Sequence, residues 1–371
     1  MEVELVIEST TTRRDPMTNC TALSNTGTSL VSPVTTSLEN LPARLGKRLW
    51  VTPAEFLQTT CAMQVARWAV NLFPRSLPDS HRRGRKRRYS DESILLVAYI
   101  QSAWQMSYEM VVDYFRSHPE AATQAGFEDG QVISVGQYWE RRRALGIWVF
   151  WLFFVGMVWQ LYRRKIIHGV DVVLDSTTLQ AWYHRDPDAG WSFPQRWKGS
   201  IWGYKVHTLL CRWSELPIMF LVTPANFYDS LAAIPLLALA VACFGFRIAI
   251  VRADAAYFTY ALLNYIRVVL HAGFMIDYNL RRKGKTALAT LPFIRQWRFH
   301  ARFRMVIERH FAWAKRYFGL EAARWSGLVA AYQHTALVYS VMLGVALTAY
   351  RFQRPELAGS RMKVLAIHMP A

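Results

Sequence analysis

Three carboxylates stand where the sequence could bring them together for chemistry. Asp175 follows a short β-branched run at 170–174, and Asp254 follows a second apolar run at 246–253, so each ends a predicted strand. Glu308 lies further along, in a segment with helical spacing. The carboxyl ends of strands are where open α/β sheets place ligands. Taken singly, each aspartate is also explained as a strand-end cap or a turn residue.

Three carboxylates at one sheet edge repel one another unless a cation lies among them. Hard oxygen ligands of this kind suit Mg²⁺ or Mn²⁺. A pair of such ions ~4 Å apart can activate a water or hydroxyl and stabilise the leaving oxygen of a phosphodiester. The carboxylates therefore raise the hypothesis of a metal-dependent phosphodiester reaction.

The segment 303–315 contains neither Gly nor Pro and is predicted to be a helix. At about 100° per residue, Arg304, Glu308 and Lys315 fall within roughly 40° of one another. Adjoining apolar residues form a stripe of the kind that faces a core: Val306, Ile307, Phe311, Trp313, Ala314 and Phe318. The plainer interpretation is an i,i+4 ion pair between Arg304 and Glu308 on an ordinary amphipathic helix.

The composition favours a polyanionic partner. The chain has 371 residues and a net charge of +18, which suits nucleic acid or an anionic membrane surface. The four cysteines form no CxxC pair, which suggests a reducing compartment and no structural zinc. Three apolar runs, 147–162, 231–246 and 335–350, are shorter than the ~20 residues that a bilayer needs, so we expect buried helices and no membrane.

The chain before the first strand is predicted to contain a flexible tail and a helical, basic region. Residues 1–46 are rich in Ser, Thr and Asn, and 49–77 has helical spacing. Six cations then follow within eight residues, as either a solvated linker or an arm along DNA phosphates: Arg82, Arg83, Arg85, Lys86, Arg87 and Arg88.

Three short helices are predicted after this basic run. Ser90 should cap the first, which runs to about residue 106; the second spans 107–117, and the third begins at Val135 with Arg141, Arg142 and Arg143 on a basic face. The pattern suits a helix-turn-helix-like DNA reader or a plain helical packing domain, and spacing alone does not separate the two.

From residue 166 the pattern changes to alternating strands and helices. Strands are predicted at 170–175, 203–213, 217–222, 246–253 and 273–278, and helices at 229–245, 257–271 and 303–315. This order predicts an α/β domain with a mixed sheet and helices on its faces. The expected domains are a flexible tail at 1–46, a helical, basic, DNA-binding region at 47–165, a catalytic domain at 166–350 and a C-terminal tail at 351–371.

Five blocks in order resemble the DDE transposases of prokaryotic insertion sequences. They are Asp175-Ser176-Thr177-Thr178, Gly203-Tyr204-Lys205-Val206-His207, Thr223-Pro224-Ala225-Asn226-Phe227-Tyr228-Asp229-Ser230, Ala253-Asp254-Ala255-Ala256-Tyr257 and Arg304-x3-Glu308-x6-Lys315. The last is similar to part of the family's Tyr-Arg-Glu-Lys signature. The resemblance covers about residues 90–350, and it departs from the family at Ala301, in place of the signature Tyr, and at Ala256, in place of Gly.

The resemblance implies a ribonuclease-H-like catalytic domain in which Asp175, Asp254 and Glu308 bind Mg²⁺ or Mn²⁺, as two ions. Arg304 and Lys315 would then contact the DNA backbone near the cut. The implied protein is a transposase that binds the terminal inverted repeats of its element, cleaves them and transfers the freed 3′-hydroxyl to target DNA. We expect it to act on double-stranded DNA as a homodimer, in the cytoplasm at the nucleoid. The alternatives are a decayed or co-opted copy that only binds DNA, and a membrane protein built on the three apolar runs.

Other residues near these blocks have both structural and functional interpretations. The segment 197–205 mixes aromatic residues with Lys198 and Lys205; it could stack on unpaired bases or form a hairpin whose rings pack on the sheet. His207 is expected to be structural, because oxygen ligands are expected at the metal. Asn226 and Asp229 are expected to form a turn and cap the next helix, with a supporting role near the site as the alternative.

Overall fold

The computed structural model describes residues 48–73, 88–127, 131–195, 199–276, 305–322 and 325–366. The chain divides into Met1–Pro42, which includes most of the predicted tail and lies outside the described residues, and the compact unit Ala43–Ala371. The strands are β1 (Asp171–Gln180), β2 (Gly190–Gln195), β3 (Gly199–Cys211), β4 (Pro217–Pro224), β5 (Ile250–Ala253) and β6 (Gly273–Ile276). The helices are α1 (Pro53–Thr59), α2 (Ala62–Leu72), α3 (Asp91–Trp104), α4 (Tyr108–Ser117), α5 (Pro119–Gln124), α6 (Val135–Ala144), α7 (Trp148–Arg163), α8 (Asp229–Phe244), α9 (Tyr260–Asn264), α10 (Met305–Phe318), α11 (Leu328–Arg351) and α12 (Arg361–Val364).

The sheet is mixed, as predicted. β1 pairs antiparallel with β3 and parallel with β5, and β6 continues the parallel side. β2 pairs with the first residues of β3, and β4 pairs with the rest of it on the same side. With helices on its faces, this sheet confirms the predicted α/β class with a mixed sheet and flanking helices.

Several strands differ from the sequence prediction. β3 begins at Gly199 rather than at 203, and β5 begins at Ile250 rather than at 246. β1 continues to Gln180, five residues past Asp175, because its pairing with β3 extends to that point. β2 was not predicted, since its sequence includes Gly190 and Pro194, which are depleted in strands. Its pairing with β3 confirms that the aromatic segment around residue 200 belongs to a hairpin.

The helix predicted at 257–271 is irregular. It consists of a 3₁₀ turn at Ala255–Tyr257, the short helix α9 and a π-helical turn at Tyr265–Val269. The long helix predicted at 49–77 is also interrupted, by Cys61 in the left-handed conformation with φ 49°, which separates α1 from α2.

Serine caps begin the helices of the N-terminal region. The hydroxyls of Ser90, Ser107 and Ser134 accept hydrogen bonds from backbone amides at the start of α3, α4 and α6. Arg141 and Arg142 then hold α6 to α3, because they donate to Asp91 at 2.6 Å and to Gln101 at 2.5 Å. Two of the three arginines of the predicted basic face are thus bound within the protein.

The apolar helices form the core. α11 is longer than the predicted run, with 24 residues, and it packs against α7, α3 and β4. By length and hydropathy α11 could cross a membrane, as could the bent pair α6 and α7 taken together, but 72% of the apolar window of α11 is buried inside the fold. Burial of that extent is what a core helix requires.

The segment predicted as a C-terminal tail packs on this core up to residue 366. Leu365 forms a parallel bridge with Val51, and the Arg361 guanidinium donates to the carbonyl of Ala103 at 2.7 Å. These contacts join the last described residues to the first.

Candidate active site

Asp175 and Asp254 lie side by side on neighbouring parallel strands. Leu174 of β1 is in register with Ala253 of β5. The residues that follow these two are Asp175 and Asp254. Val173 and Arg252 are also register partners, and each aspartate lies two residues beyond one of them. Because side chains alternate along strands, both aspartates share the sheet face of Val173 and Arg252. The sequence prediction that the two lie at one edge agrees with this placement.

Each aspartate is oriented by a backbone amide next to it. The amide of Ser176 donates to Asp175 Oδ1 at 2.8 Å, and the amide of Ala255 donates to Asp254 Oδ1 at 2.6 Å. The second contact caps the 3₁₀ turn at Ala255–Tyr257. Asp254 therefore acts as the strand-end cap that the sequence suggested. It does so while lying beside Asp175 on the same sheet face.

α10 carries Glu308 over this same face. Ile307 and Phe311 are buried against Val173 and Leu210, which fixes α10 on β1 and β3. The predicted apolar stripe is largely observed, since Ala314 and Phe318 are buried as well. Glu308 lies in the first turn of α10 and is exposed. Arg304, its predicted partner, lies outside the described residues.

The fit of these residues to a divalent cation is partial. Carboxylate oxygens are the donors that Mg²⁺ and Mn²⁺ prefer. Among the residues that the structure describes, however, no three His, Cys, Asp or Glu side chains converge closely enough to hold a metal ion. The structure thus places Asp175 beside Asp254 and does not close Glu308 onto them as a third ligand.

Lys315 links α10 to β1. Its ammonium donates to the carbonyl of Thr178 at 3.1 Å and pairs with Glu321 at 2.5 Å. The Lys315 side chain is 24% exposed. A DNA phosphate would have to compete with Glu321 for this cation.

A polar cluster adjoins Asp175 on the other face of β1. Asp229, the first residue of α8, accepts from the Ser176 hydroxyl at 2.7 Å and pairs with the Lys205 ammonium at 3.2 Å. His207 Nδ1 lies 3.5 Å from the same carboxylate oxygen. Burial lowers the pKa of His207 to about 4, an effect that Asp229 partly opposes.

This cluster corrects two expectations. Asp229 does not cap α8 with its side chain, since Tyr228 occupies the cap position without a side-chain bond. Lys205 is only 12% exposed and also donates to the carbonyl of Phe227 at 2.8 Å, so its charge is neutralised inside the protein rather than presented to DNA. The structural role expected of His207 agrees with its burial and its contact with Thr223 at 2.9 Å.

Tyr257 lies among the acidic side chains of both faces. Burial raises the pKa of its hydroxyl well above the ordinary value, and the negative charges of Asp175, Asp229 and Asp254 raise it further. Tyr257 therefore lies within electrostatic range of all three carboxylates. Sequence reasoning treated Tyr257 only as part of a motif.

A second buried acidic site, at the start of β1, was also missed. Asp171 accepts from Arg252 at 2.7 and 2.9 Å and from Arg212 at 2.9 Å. Asp171 and Arg252 are 5% and 4% exposed, so the pair joins β1 to β5 beneath the candidate site. Nothing in a single β-branched run distinguishes an aspartate that starts a strand inside the core from one that starts it at the surface.

Most of the predicted DNA-contacting cations cannot be placed. Of the basic run, only Arg88 is among the described residues; it is exposed, with its guanidinium 5.9 Å from the Tyr89 ring centroid. Arg82, Arg83, Arg85, Lys86, Arg87 and Lys198 lie outside them.

Comparison with known proteins agrees with the family resemblance. Residues 168–343 match the family model described as transposase DDE domain. The solved Mos1 transposase paired-end complex with left transposon end is similar at 12% identity, over 81% of this chain and 85% of that one, with a TM-score of 0.20. No curated protein matches the chain. The family match covers the part of the chain that carries Asp175, Asp254 and Glu308.

Proposed function

We propose that this protein is a DNA transposase that binds the terminal inverted repeats of its own element and catalyses metal-dependent strand cleavage and strand transfer. The observation that carries the proposal is the pair Asp175 and Asp254, side by side on one sheet face beneath the helix that carries Glu308. The match to a transposase DDE domain supports it.

In this proposal Asp175, Asp254 and Glu308 hold the cation, as oxygen donors suited to Mg²⁺ or Mn²⁺. When bound, two such ions supply activation of the attacking oxygen and stabilise charge on the leaving oxygen. The backbone amides at Ser176 and Ala255 keep the two aspartates oriented. Glu308, in the first turn of α10, would be the third oxygen donor.

The chain's charge supports DNA as the substrate. A net charge of +18 favours a polyanion. The basic run 82–88 would add salt-dependent affinity without sequence choice, at roughly 0.9 in slope per phosphate contact. Arg304 and Lys315 would contact the strand near the cut. We further propose that the protein acts as a homodimer on paired ends, in the cytoplasm at the nucleoid.

The second candidate function is DNA binding without catalysis. The observation that favours it is that no three-ligand group is found among the described residues. Such a protein would keep the basic surface and lose the reaction.

The test is cleavage of duplexes that carry the element's ends by the purified full-length chain. We expect Mg²⁺-dependent nicks at the ends that expose a 3′-hydroxyl, and no nicks in EDTA or on a scrambled duplex of equal length. Binding without nicks in Mg²⁺ or Mn²⁺ would favour the second candidate, and no binding of either duplex would contradict both.

A further inference from the structure

A basic cavity lies at the start of β1, away from the edge with Asp175 and Asp254. It has a volume of about 520 Å³. Its lining comes from the segment that follows α7, the turn between β3 and β4 and the last residues of α11. The residues that matter here are Arg164, Lys165, His168, Trp213, Ser214 and Arg351.

Two donors of this lining are unsatisfied. Arg351 Nη1 and Ser214 Oγ are both buried atoms without a hydrogen-bond partner in the described part of the chain. Arg351 is held in place through its other terminal nitrogen, Nη2, which lies 3.1 Å from Cys61 Sγ. Buried donors without a partner cost free energy, and an acceptor bound in this cavity would remove that cost.

The charge of the cavity selects an anion. Arg164, Lys165 and Arg351 line it, and none of its lining residues is Asp or Glu. Arg164 and Arg351 also stand at the ends of α7 and α11, where cations interact favourably with helix carbonyls. The interaction with helix carbonyls explains why Arg164 and Arg351 stand at helix ends. It does not provide an acceptor for Arg351 Nη1 or Ser214 Oγ.

An aromatic ring borders the same cavity. Trp213 is 67% exposed, and the Arg212 guanidinium lies 4.6 Å from its ring centroid. Exposed aromatic rings beside cations are the elements with which proteins hold single nucleic-acid strands, through base stacking and phosphate contacts. A cavity of this volume has room for a nucleotide rather than for a bare ion only.

We propose that this cavity binds a nucleotide phosphate, with the phosphate between Lys165, Arg351 and Ser214 and the base against Trp213. A free nucleotide and a DNA strand share this chemistry. The site is separate from the carboxylates, and the proposal does not rest on the strand-cleavage reaction.

The test measures binding of dAMP and of a fluorescent single-stranded oligodeoxyadenylate by the full-length chain in EDTA, which keeps the reaction out of the readout. The variants are Trp213→Ala, Ser214→Ala and Lys165→Asn. Lys165 has φ 57°, and Asn tolerates this left-handed conformation, so the charge is removed without added strain. The control is Lys363→Gln, which removes an exposed lysine on α12. Thermal unfolding confirms that each variant is folded.

We expect Trp213→Ala to weaken binding by roughly fivefold or more, the lower end of base stacking on an aromatic ring. Lys165→Asn should lower the slope of log affinity against log salt by about 0.7 for a single strand, and Lys363→Gln should not. Losses seen with the oligonucleotide but not dAMP identify a DNA strand as the ligand, and losses seen with both identify a nucleotide. Equal binding by wild type and all three cavity variants would overturn the proposal.

Discussion

Asp229 gathers a hydroxyl, an ammonium and an imidazole around one carboxylate beside the candidate site. Its pairing with Lys205 takes place where the two side chains are 23% and 12% exposed. Removal of one partner from a shielded pair leaves the other charge without compensation. We therefore expect Asp229 and Lys205 to contribute to stability as an ion pair rather than as two independent residues.

We predict that Asp229→Asn lowers the free energy of unfolding by about 2 kcal/mol, because Lys205 loses its counter-charge. Urea unfolding of Asp229→Asn, Lys205→Met and the double variant measures the coupling. The double variant should be more stable than the sum of the single losses by about 1 kcal/mol or more. Additive losses would show that the pair does not stabilise the fold.

Some residues of the candidate site could be predicted from the sequence and others could not. Asp175 and Asp254 were predictable because each follows an apolar run, and strand ends meet at a sheet edge. The partners of Asp229 were not, since they come from β1 and β3, and their meeting depends on register. A turn residue before a helix and a buried ion-pair residue look alike in one sequence.

At the scale of elements, two adjacent residues of α10 have different roles, one proposed to bind metal and the other structural. Glu308 is the proposed third ligand, whereas Arg309 pairs with Glu215 in the turn between β3 and β4. His310, the next residue, lies with Nδ1 3.2 Å from the Glu215 carbonyl. The helix is thus fixed by residues that follow the one proposed to act.

We predict that Glu308→Gln abolishes Mg²⁺-dependent nicking while the metal-free melting temperature stays nearly the same, because Glu308 is exposed and an exposed charge contributes little to stability. Arg309→Gln is the matched control on the same helix, and it should keep nicking activity although it loses an ion pair. Full activity in Glu308→Gln together with lower stability would support the simple ion-pair interpretation instead.

α11 offers a test of the core that is independent of chemistry. A Cβ at Gly344 would lie 1.9 Å from the Tyr99 hydroxyl and 2.8 Å from Phe56 Cζ, so α11 needs glycine there to approach α1 and α3. At Gly136 of α6, an added Cβ meets no atom within 4 Å in the described part of the chain, apart from its chain neighbours and the backbone of its own helix.

We predict that Gly344→Ala costs about 1–3 kcal/mol of stability through overpacking. Gly136→Ala should instead stabilise by about 0.5–1 kcal/mol, since alanine is the better helix former. Chemical unfolding of both variants decides this. A neutral Gly344→Ala would mean that α11 does not pack as described.

Elements were predictable where local signals were strong. Ser90 predicts the start of α3, and the β-branched run predicts β1. Helix capping and side-chain alternation depend only on residues that are close in the sequence. The π-helical turn at Tyr265–Val269 and the full length of α11 were not predicted, since packing partners distant in sequence decide them. β2 was not predicted, because its glycine and proline are uncommon in strands.

At the scale of the whole molecule, two buried histidines and one half-buried histidine make stability depend on pH. Burial lowers the pKa of His207, His310 and His334 to about 4 from the ordinary 6.5. The unfolded chain takes up these protons below about pH 6.5, whereas the folded chain resists them until about pH 4. The stability that depends on neutral histidines is therefore complete above pH 6.5 and is lost as the pH falls toward 4.

We predict that the free energy of unfolding decreases between pH 6.5 and pH 5.5 by roughly 1 kcal/mol for each of these histidines. His310→Gln removes one such group, so its unfolding free energy should change less steeply over the same interval. Urea unfolding at several pH values measures this slope. An identical slope in wild type and variant would contradict a neutral, buried His310.

The central claim is that Asp175 and Asp254 together support metal-dependent strand cleavage. The most direct measurement is the nicking rate of terminal-repeat duplex in Mg²⁺ for Asp175→Asn and Asp254→Asn, with binding of the same duplex measured in parallel. Asp113→Asn is the control, since it makes the same change at an exposed residue of α4, paired with Arg116. We predict that both active-site variants bind the duplex near normally and do not nick it, while Asp113→Asn does both. Nicking by Asp175→Asn or Asp254→Asn at a rate comparable to wild type would contradict the assignment of the site.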